Sequence, residues 1–217
     1  MTDNNPNSNS IDEEKQMSQE QRKAQRHKQR QQKVKEAVDA KIAAAQEEKG
    51  ILLVLTGNGK GKSTSGFGTI ARSVGHGKKS AVVQFIKGNW ECGERTLLEG
   101  AGVEFHVMGT GFTWETQDRD KDTQAAESAW AAAEALLKDE SIDCLMLDEL
   151  TYMVSYHYLE VDRVIAALKN RPPMQHVIIT GRACHRAIIE LADTVSEVQS
   201  IKHAFDHGIK AQLGFDY

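Results

Sequence analysis

Residues 51–64 read Ile-Leu-Leu-Val-Leu-Thr-Gly-Asn-Gly-Lys-Gly-Lys-Ser-Thr, an apolar run followed by a glycine-rich loop that ends in two hydroxyl side chains. The apolar run predicts a strand over Ile51–Leu55. The residues after the loop predict an amphipathic helix, because apolar side chains follow Phe67 at i+3, i+4 and i+7. A strand, a glycine-rich loop and a helix in this order form a phosphate-binding arrangement, in which backbone N–H groups and a helix N-terminus face the anion.

Lys62 and Ser63 close this loop and have the side chains that its chemistry requires. In such loops a lysine neutralises phosphate and the hydroxyl that follows it binds magnesium. Thr56 stands where the pattern GxxxxGK[ST] has its first glycine, so Gly57 and Gly59 are expected to supply the flexibility. The alternative is a glycine-rich turn with surface lysines, which the flanking strand and helix disfavour.

A second segment, Ile142–Glu149, is an apolar run that ends in the adjacent acids Asp148 and Glu149. It resembles a Walker B strand, whose terminal acid holds magnesium directly or through water. The same sequence pattern is compatible with a strand that ends in a turn with solvated carboxylates. The phosphate loop makes the magnesium interpretation the stronger one.

Six apolar runs alternate with helical segments from Gly50 onward, which is typical of a parallel sheet with crossover helices. One of these helical segments is rich in alanine and surrounds Trp130–Leu137. The pattern predicts a doubly wound α/β domain over residues 50–217. The predicted strands are Ile51–Leu55, Ser80–Ile86, Val103–Val107, Ile142–Leu147, His176–Thr180 and Thr194–Val198.

The residues before this domain differ in composition. Residues 1–17 are rich in Asn, Ser, Gln and acids, and are expected to form a disordered tail. Residues 18–48 have no Gly or Pro and predict a long helical arm, on which Val34, Val38 and Ile42 form a narrow apolar stripe. The arm is either a solvated charged helix or a helix that places this stripe against a partner.

Composition limits the classes of function. A chain of 217 residues is long enough for one domain with its own hydrophobic core. Its 27 basic and 31 acidic side chains give a net charge of −4, so no overall positive field would attract nucleic acid or an anionic membrane. Three scattered cysteines, Cys92, Cys144 and Cys184, are expected to be free thiols in a reducing compartment. No leader sequence or membrane-spanning run is present, so the expected location is the cytoplasm.

Several further strings are typical of one family. Together with the phosphate loop they resemble the ATP:corrinoid adenosyltransferases of the cob(I)alamin and cob(I)yrinic acid a,c-diamide type, and the resemblance runs from about Gln29 to Tyr217. It implies a P-loop NTPase-like (RecA-like), mostly parallel sheet with helices on both faces. The strings are Val-Gly-His-Gly-Lys-Lys at 74–79, Val-Val-Gln-Phe-Ile-Lys-Gly at 82–88, Gly-Phe-Thr-Trp at 111–114, Asp-Glu-Leu-Thr-Tyr at 148–152, Ile-Ile-Thr-Gly-Arg at 178–182 and Lys-His-Ala-Phe-Asp at 202–206.

The resemblance implies that a Co(I) corrinoid attacks C5′ of ATP and expels triphosphate, in adenosylcobalamin biosynthesis or corrinoid salvage. The nucleotide then lies reversed in the loop, with Lys62 and Glu149 as catalytic groups. Ser63 and Glu149 would bind Mg²⁺, or Mn²⁺ in its place, and Asp148 would support the metal shell. The implied ATP-binding residues are Gly57, Asn58, Gly59, Lys60, Gly61, Lys62, Ser63 and Thr64.

Phe112 and Trp114 lie in a predicted polar loop, Gly109–Asp122, where no core periodicity requires aromatic side chains. They either anchor the loop on the sheet or, as the resemblance implies, line the corrinoid pocket and displace the axial ligand of cobalt. The resemblance also implies a homodimer in which the arm covers the partner's site, and a flavodoxin-like flavoprotein as the reductant.

Two rival functions follow from the residues alone. A P-loop kinase or ATP hydrolase would release ADP. A nucleotide-gated nucleic-acid binder would use the basic arm, which the net negative charge disfavours. His76, His185 and His203 are expected to be structural and receive no role.

Overall fold

A computed structural model describes residues 18–86, 92–109 and 119–216. The chain divides into two compact units, Met1–Glu48 and Lys49–Tyr217. The predicted tail, residues 1–17, lies outside the described residues, and so do Phe112 and Trp114.

The described part of the first unit is dominated by helix α1, Gln19–Ala44. Ser18 begins it with a capping box: the Gln21 N–H donates to Ser18 Oγ at 3.2 Å, and the Ser18 N–H donates to Gln21 Oε1 at 2.8 Å. The helix ends four residues before the predicted Glu48, because Gln46 Nε2 donates to the Ala43 carbonyl at 2.8 Å and satisfies a group that a further turn would need. Two acids follow, which the negative end of a helix disfavours.

The second unit contains a six-stranded, all-parallel sheet with the order β3-β2-β4-β5-β1-β6. Each predicted strand exists, and its ends shift by at most two residues. The strands are β1 (Leu52–Thr56), β2 (Ser80–Gln84), β3 (Glu104–Val107), β4 (Cys144–Asp148), β5 (His176–Thr180) and β6 (Thr194–Glu197).

Helices lie between the strands in sequence. Helix α4 begins at Arg119, so the last four residues of the loop predicted over Gly109–Asp122 are helical instead, and Asp122 is only 2% exposed. The helices are α2 (Lys62–Gly75), α3 (Gly93–Gly100), α4 (Arg119–Leu136), α5 (Leu150–Ser155), α6 (Val161–Lys169) and α7 (Arg186–Leu191), followed by a 3-10 turn over Phe205–His207.

Both faces of the sheet are covered. Leu147 of β4 belongs to one buried cluster with Trp130 of α4, and its neighbour Met146 belongs to a second cluster with Phe67 of α2. Successive side chains of a strand point to opposite faces, so helices pack on both sides of β4. The predicted doubly wound α/β architecture is confirmed.

The strand order determines where a ligand can bind. The chain leaves β1 toward β2 on one side of the sheet, whereas β6 lies on the other side of β1. Ligands of open α/β sheets bind outside the carboxyl ends of the strands at such a reversal. Strand β5 lies between β1 and β4, so it separates the phosphate loop from the acids by one strand.

Candidate active site

Gly57 and Gly59 of the phosphate loop are required by close packing against the segment after β6. A Cβ atom on Gly57 would lie 2.5 Å from the Val198 carbonyl oxygen, and one on Gly59 would lie 2.6 Å from the Gln199 carbonyl oxygen. Gly57 also has a φ of +99°, which favours glycine. Thr56 still lies in β1, where its carbonyl accepts a hydrogen bond from the Val198 N–H at 2.8 Å, so no glycine is needed there.

Lys62 is the first residue of α2 and is only 6% exposed. Its ammonium group donates to the Gly59 carbonyl at 2.7 Å, which draws the side chain back over the loop. Gly61 precedes it at the N-cap with a φ of +112° and provides no side-chain cap. The first N–H groups of α2 are therefore not capped by a side chain, as an anion-binding helix N-terminus requires.

The charge of Lys62 is balanced by the acids at the end of β4. Burial lowers the pKa of the Lys62 ammonium, and the Glu149 carboxylate opposes this by raising it. Arg182 lowers the same pKa and Asp148 raises it, both by smaller amounts. The fold thus brings the predicted lysine and both predicted acids into one electrostatic site. Arg182 joins them, although no role was predicted for it.

Asp148 is fully buried and fixed from both sides. Gln84 of β2 donates from Nε2 to Asp148 Oδ2 at 3.0 Å, and Thr180 of β5 donates from Oγ1 to Asp148 Oδ1 at 2.7 Å. Thr180 Oγ1 also accepts from the Glu149 N–H at 3.0 Å. The carboxylate of Asp148 therefore has its two oxygens in defined positions, and the same hydroxyl positions the backbone of Glu149.

Gln84 and Thr180 are hydrogen-bond partners of the candidate site to which the sequence analysis gave no role. Both are buried polar residues at the carboxyl end of a strand, directly after three apolar residues. Buried polar side chains are hydrogen-bonded in native proteins, so their presence was a signal for a polar partner at this edge.

Glu149 has a φ of +60°, a left-handed conformation that is uncommon for a residue with a side chain. Such backbone strain concentrates at functional sites. Gly181 approaches it closely: a Cβ on Gly181 would lie 3.1 Å from Glu149 Oε2 and 2.0 Å from Thr151 Oγ1. Thr151 in turn donates to the Arg182 carbonyl at 2.6 Å, which ties the turn after β5 to α5.

The rest of the predicted cradle is accessible from solvent. Asn58, Lys60 and Thr64 are exposed, and Ser63 is half-buried in the first turn of α2. Lys60 forms an ion pair with Asp216, with 2.8 Å between Nζ and Oδ1. The structure therefore brings all predicted phosphate-loop residues to one end of α2.

Comparison with known proteins places the chain in a family of ATP-dependent enzymes, which is consistent with a phosphate-binding site. The model of the family ATP:corrinoid adenosyltransferase BtuR/CobO/CobP matches residues 48–217. The chain belongs to this family. A second model, that of the cob(I)alamin adenosyltransferase N-terminal region, matches residues 16–42.

Curated relatives of this adenosyltransferase cover most of its length. Corrinoid adenosyltransferases of Escherichia coli strain K12 and of Salmonella typhimurium strain LT2 are each 62% identical over 186 residues, which is 86% of this chain and 95% of theirs. A corrinoid adenosyltransferase of Pseudomonas aeruginosa is 52% identical over 185 residues, 84% of this chain and 91% of the relative. The family match supports adenosylation of corrinoids and gives no support to the kinase or hydrolase alternative.

The donor atoms at this candidate site suit magnesium. The Ser63 hydroxyl lies at the start of α2, and the Glu149 carboxylate lies close enough to influence Lys62. Among the described residues no group of three or more His, Cys, Asp or Glu side chains is arranged for a metal. Magnesium with nucleotides does not need one, because it is held by one or two carboxylates, phosphate oxygens and water.

Two of the three histidines without a predicted role accept local backbone hydrogen bonds. His185 caps α7 by accepting from the Ala187 N–H at 3.2 Å, and His203 accepts from the Phe205 N–H at 3.2 Å. His76 follows the last turn of α2, away from the phosphate loop. Within the described ranges, no helix has the length and apolar character needed to cross a bilayer.

Proposed function

We propose that this enzyme transfers the 5′-deoxyadenosyl group of ATP to the Co(I) centre of a corrinoid and releases inorganic triphosphate. The cobalt supplies the electron pair that forms the cobalt–carbon bond at C5′. The C5′–O bond breaks, its electron pair leaves on the triphosphate, and the cobalt becomes formally Co(III). No proton transfer is needed at the reacting carbon, so the protein's task is to orient ATP and stabilise the leaving charge.

The observation that carries the phosphate part of this proposal is the position of Lys62. It lies at the N-terminus of α2, buried, in the field of Glu149 and Asp148 and bonded to the Gly59 carbonyl. We infer that phosphate replaces this carbonyl as the acceptor of the Lys62 ammonium. Gly57–Thr64 would then surround the triphosphate with backbone N–H groups, and Lys60 and Arg182 would add positive charge from the solvent side.

The acids have different tasks in this proposal. Ser63 and Glu149 would hold Mg²⁺, or Mn²⁺ in its place, and the ion would neutralise part of the triphosphate charge. Asp148 accepts hydrogen bonds at both oxygens, which suits a carboxylate that supports the metal shell. Thr180 and Gln84 keep that carboxylate in place.

Several finer points of the proposal rest on the resemblance of sequence motifs described above. Phe112 and Trp114 are proposed to line the corrinoid pocket and to displace the axial ligand of cobalt. The enzyme is proposed to act in the cytoplasm as a homodimer, with α1 of one protomer over the site of the other. A flavodoxin-like flavoprotein is the proposed reductant, and the pathway is adenosylcobalamin synthesis or corrinoid salvage.

The test is a comparison of the enzyme with Lys62→Ala, using ATP, magnesium and chemically reduced cobalamin and following the absorbance change on cobalt alkylation. Lys62→Ala should lose about a hundredfold or more in turnover, since it removes a charge aimed at the leaving group. Its melting temperature should stay close to that of the parent. Lys169→Ala, at an exposed lysine in the last turn of α6, is the matched control and should keep parental turnover. Full turnover in a folded Lys62→Ala protein would contradict the proposal.

A further inference from the structure

The C-terminal segment after β6 returns to the phosphate loop and presents a carboxylate to it. Lys60 Nζ lies 2.8 Å from Asp216 Oδ1. Asp216 is separated from Lys60 by almost the whole sheet in sequence, so this contact is tertiary. It places a fixed negative charge on one of the residues that the proposed function assigns to phosphate.

Asp216 is held in position by its own turn. The Gln212 N–H donates to Asp216 Oδ2 at 2.8 Å, and the Asp216 N–H donates to the Gln212 carbonyl at 2.8 Å. One oxygen of the carboxylate therefore accepts from the backbone and the other faces Lys60. The Lys60 ammonium lowers the pKa of the Asp216 carboxyl, and the Gln212 N–H adds to this, so the group is charged at neutral pH.

The segment around Asp216 has little burial to keep it on the loop. Leu213 is 77% exposed and Phe215 is 80% exposed, and Lys60 and Asp216 themselves are 45% and 23% exposed in their side chains. Polar contacts rather than an apolar core thus hold this end of the chain. Segments of this kind open at low free-energy cost, and an exposed ion pair adds little to stability.

We propose that Asp216 is a positioning residue that competes with triphosphate for Lys60. The inference rests on the proposed function, in which Lys60 contacts phosphate. The Asp216 carboxylate partly neutralises the Lys60 ammonium and holds it beside the C-terminal turn, so a phosphate ligand that draws Lys60 to itself must weaken or break the pair. Re-forming the pair as the ligand departs favours its release.

This competition fits the demands of the reaction. Triphosphate is a highly charged product that a phosphate loop, a helix N-terminus and several cations would all retain. Product release limits many enzymes. A carboxylate that reclaims one cation weakens the retention without removing that cation from the transition state.

The experiment measures the binding of inorganic triphosphate with magnesium to the full chain, by calorimetry and by stopped-flow dissociation. Asp216→Asn should bind triphosphate about two- to fivefold more tightly, the range expected for loss of one exposed ion pair, and should release it more slowly. Asp206→Asn, an exposed acid on the same segment, is the matched control and should bind as the parent does. In a Lys60→Ala background the Asp216→Asn change should have no effect, because no ammonium remains to compete for.

The outcomes separate the inference from the proposed function. If Lys60→Ala weakens triphosphate binding but Asp216→Asn leaves it unchanged or weakens it, the competition is refuted and the cradle stands. If Lys60→Ala leaves binding unchanged, Lys60 does not contact phosphate, and both its role in the cradle and the competition are refuted. An equal tightening by Asp216→Asn with and without Lys60 would show a general charge effect and would also refute the pairing.

Discussion

Thr180 is a single side chain on which the order of the acidic site depends. Its hydroxyl donates to Asp148 and accepts from the Glu149 backbone, and it is fully buried in β5 between the two strands of the site. Replacing it by an apolar group of the same shape leaves a buried carboxylate oxygen and a backbone N–H with one partner fewer. The cost of leaving such groups unpaired exceeds the net value of the bonds themselves.

Thr180→Val should therefore lower the free energy of unfolding by about 1 to 3 kcal/mol, measured by urea titration. It should also lower turnover under saturating ATP and raise the magnesium concentration needed for half-maximal rate, because Asp148 and Glu149 lose a shared restraint. Thr180→Ser keeps the hydroxyl and should recover the metal dependence. Thr194→Val, at an exposed position at the start of β6, is the control for the exchange itself.

Parental stability and metal dependence in Thr180→Val would show that the hydroxyl does not position the acids. A loss of stability with unchanged metal dependence would leave Thr180 a purely structural residue.

At this scale the sequence predicted the charged residues that the fold brings together better than it predicted their hydrogen-bond partners. Lys62, Asp148 and Glu149 stand in short local patterns that can be read without the fold. Thr180 and Gln84 act across adjacent strands, and their role depends on which strands are neighbours. Local patterns do not give strand order, so the roles of these residues could not be read from the letters alone. The pairing of Lys60 with Asp216 was missed because it joins two segments that are far apart in sequence.

Among the described elements, helix α1 carries a stripe of solvent-exposed apolar side chains. Val34, Val38 and Ile42 are 57%, 47% and 67% exposed and lie on one face at intervals of four residues. A solvated helix does not need such a stripe, whereas a helix that contacts a partner does. The proposed role over the partner's site can be tested without disturbing the α/β unit.

Deletion of residues 1–17 should leave turnover unchanged, and deletion through Ala44 should lower it strongly without changing the melting temperature of the remaining unit. The triple variant Val34→Gln, Val38→Gln, Ile42→Gln keeps helix-forming residues and should reproduce the longer deletion. Glu36→Gln, Ala40→Gln, Ala44→Gln changes the opposite face and is its matched control. Normal steady-state kinetics for the variant of the apolar stripe would show that α1 is a solvated helix with no role in turnover.

Phe112 and Trp114 lie outside the described residues, and their role is a prediction. A five-coordinate Co(II) corrinoid is hard to reduce because its axial ligand donates electron density, and apolar side chains that displace this ligand make reduction easier. Phe112→Ala with Trp114→Ala should keep ATP affinity and most activity when Co(I) is supplied. The same variant should lose most activity when a flavoprotein must reduce Co(II).

The two assays serve as controls for each other, since both use the same protein and the same ATP. An equal fall in both would mean that the aromatic residues only anchor the loop, and would remove them from the corrinoid pocket.

The four inner strands were predicted closely because each is a short, mainly apolar run between polar segments, and burial on both faces produces that run directly. The edge strands β3 and β6 are more exposed and mix apolar with polar residues. Element ends were less predictable. The end of α1 depends on the Gln46 side chain bonding to the Ala43 carbonyl, and the start of α4 lies in an alternating charged stretch from Arg119 that resembles a loop by polarity. At both helix ends the average composition of the segment predicted the wrong boundary residue.

At the scale of the whole molecule, one unit provides the phosphate site and the other a basic helix with an apolar stripe. The net charge of −4 and the all-parallel sheet are compatible with many ATP-dependent enzymes. Membership in the adenosyltransferase family selects corrinoid adenosylation among them. The bond of ATP that breaks distinguishes the two chemistries, because adenosyl transfer cleaves C5′–O whereas phosphoryl transfer cleaves a bond to phosphorus.

The most direct measurement is ³¹P NMR of the products formed from ATP, magnesium and chemically reduced corrinoid, with the adenosylated corrinoid measured in the same sample. The account predicts inorganic triphosphate in the same amount as adenosylated corrinoid, with no ADP, and predicts that both disappear together in Lys62→Ala. Formation of ADP, with phosphate or a phosphorylated acceptor, and no new cobalt–carbon bond would contradict it.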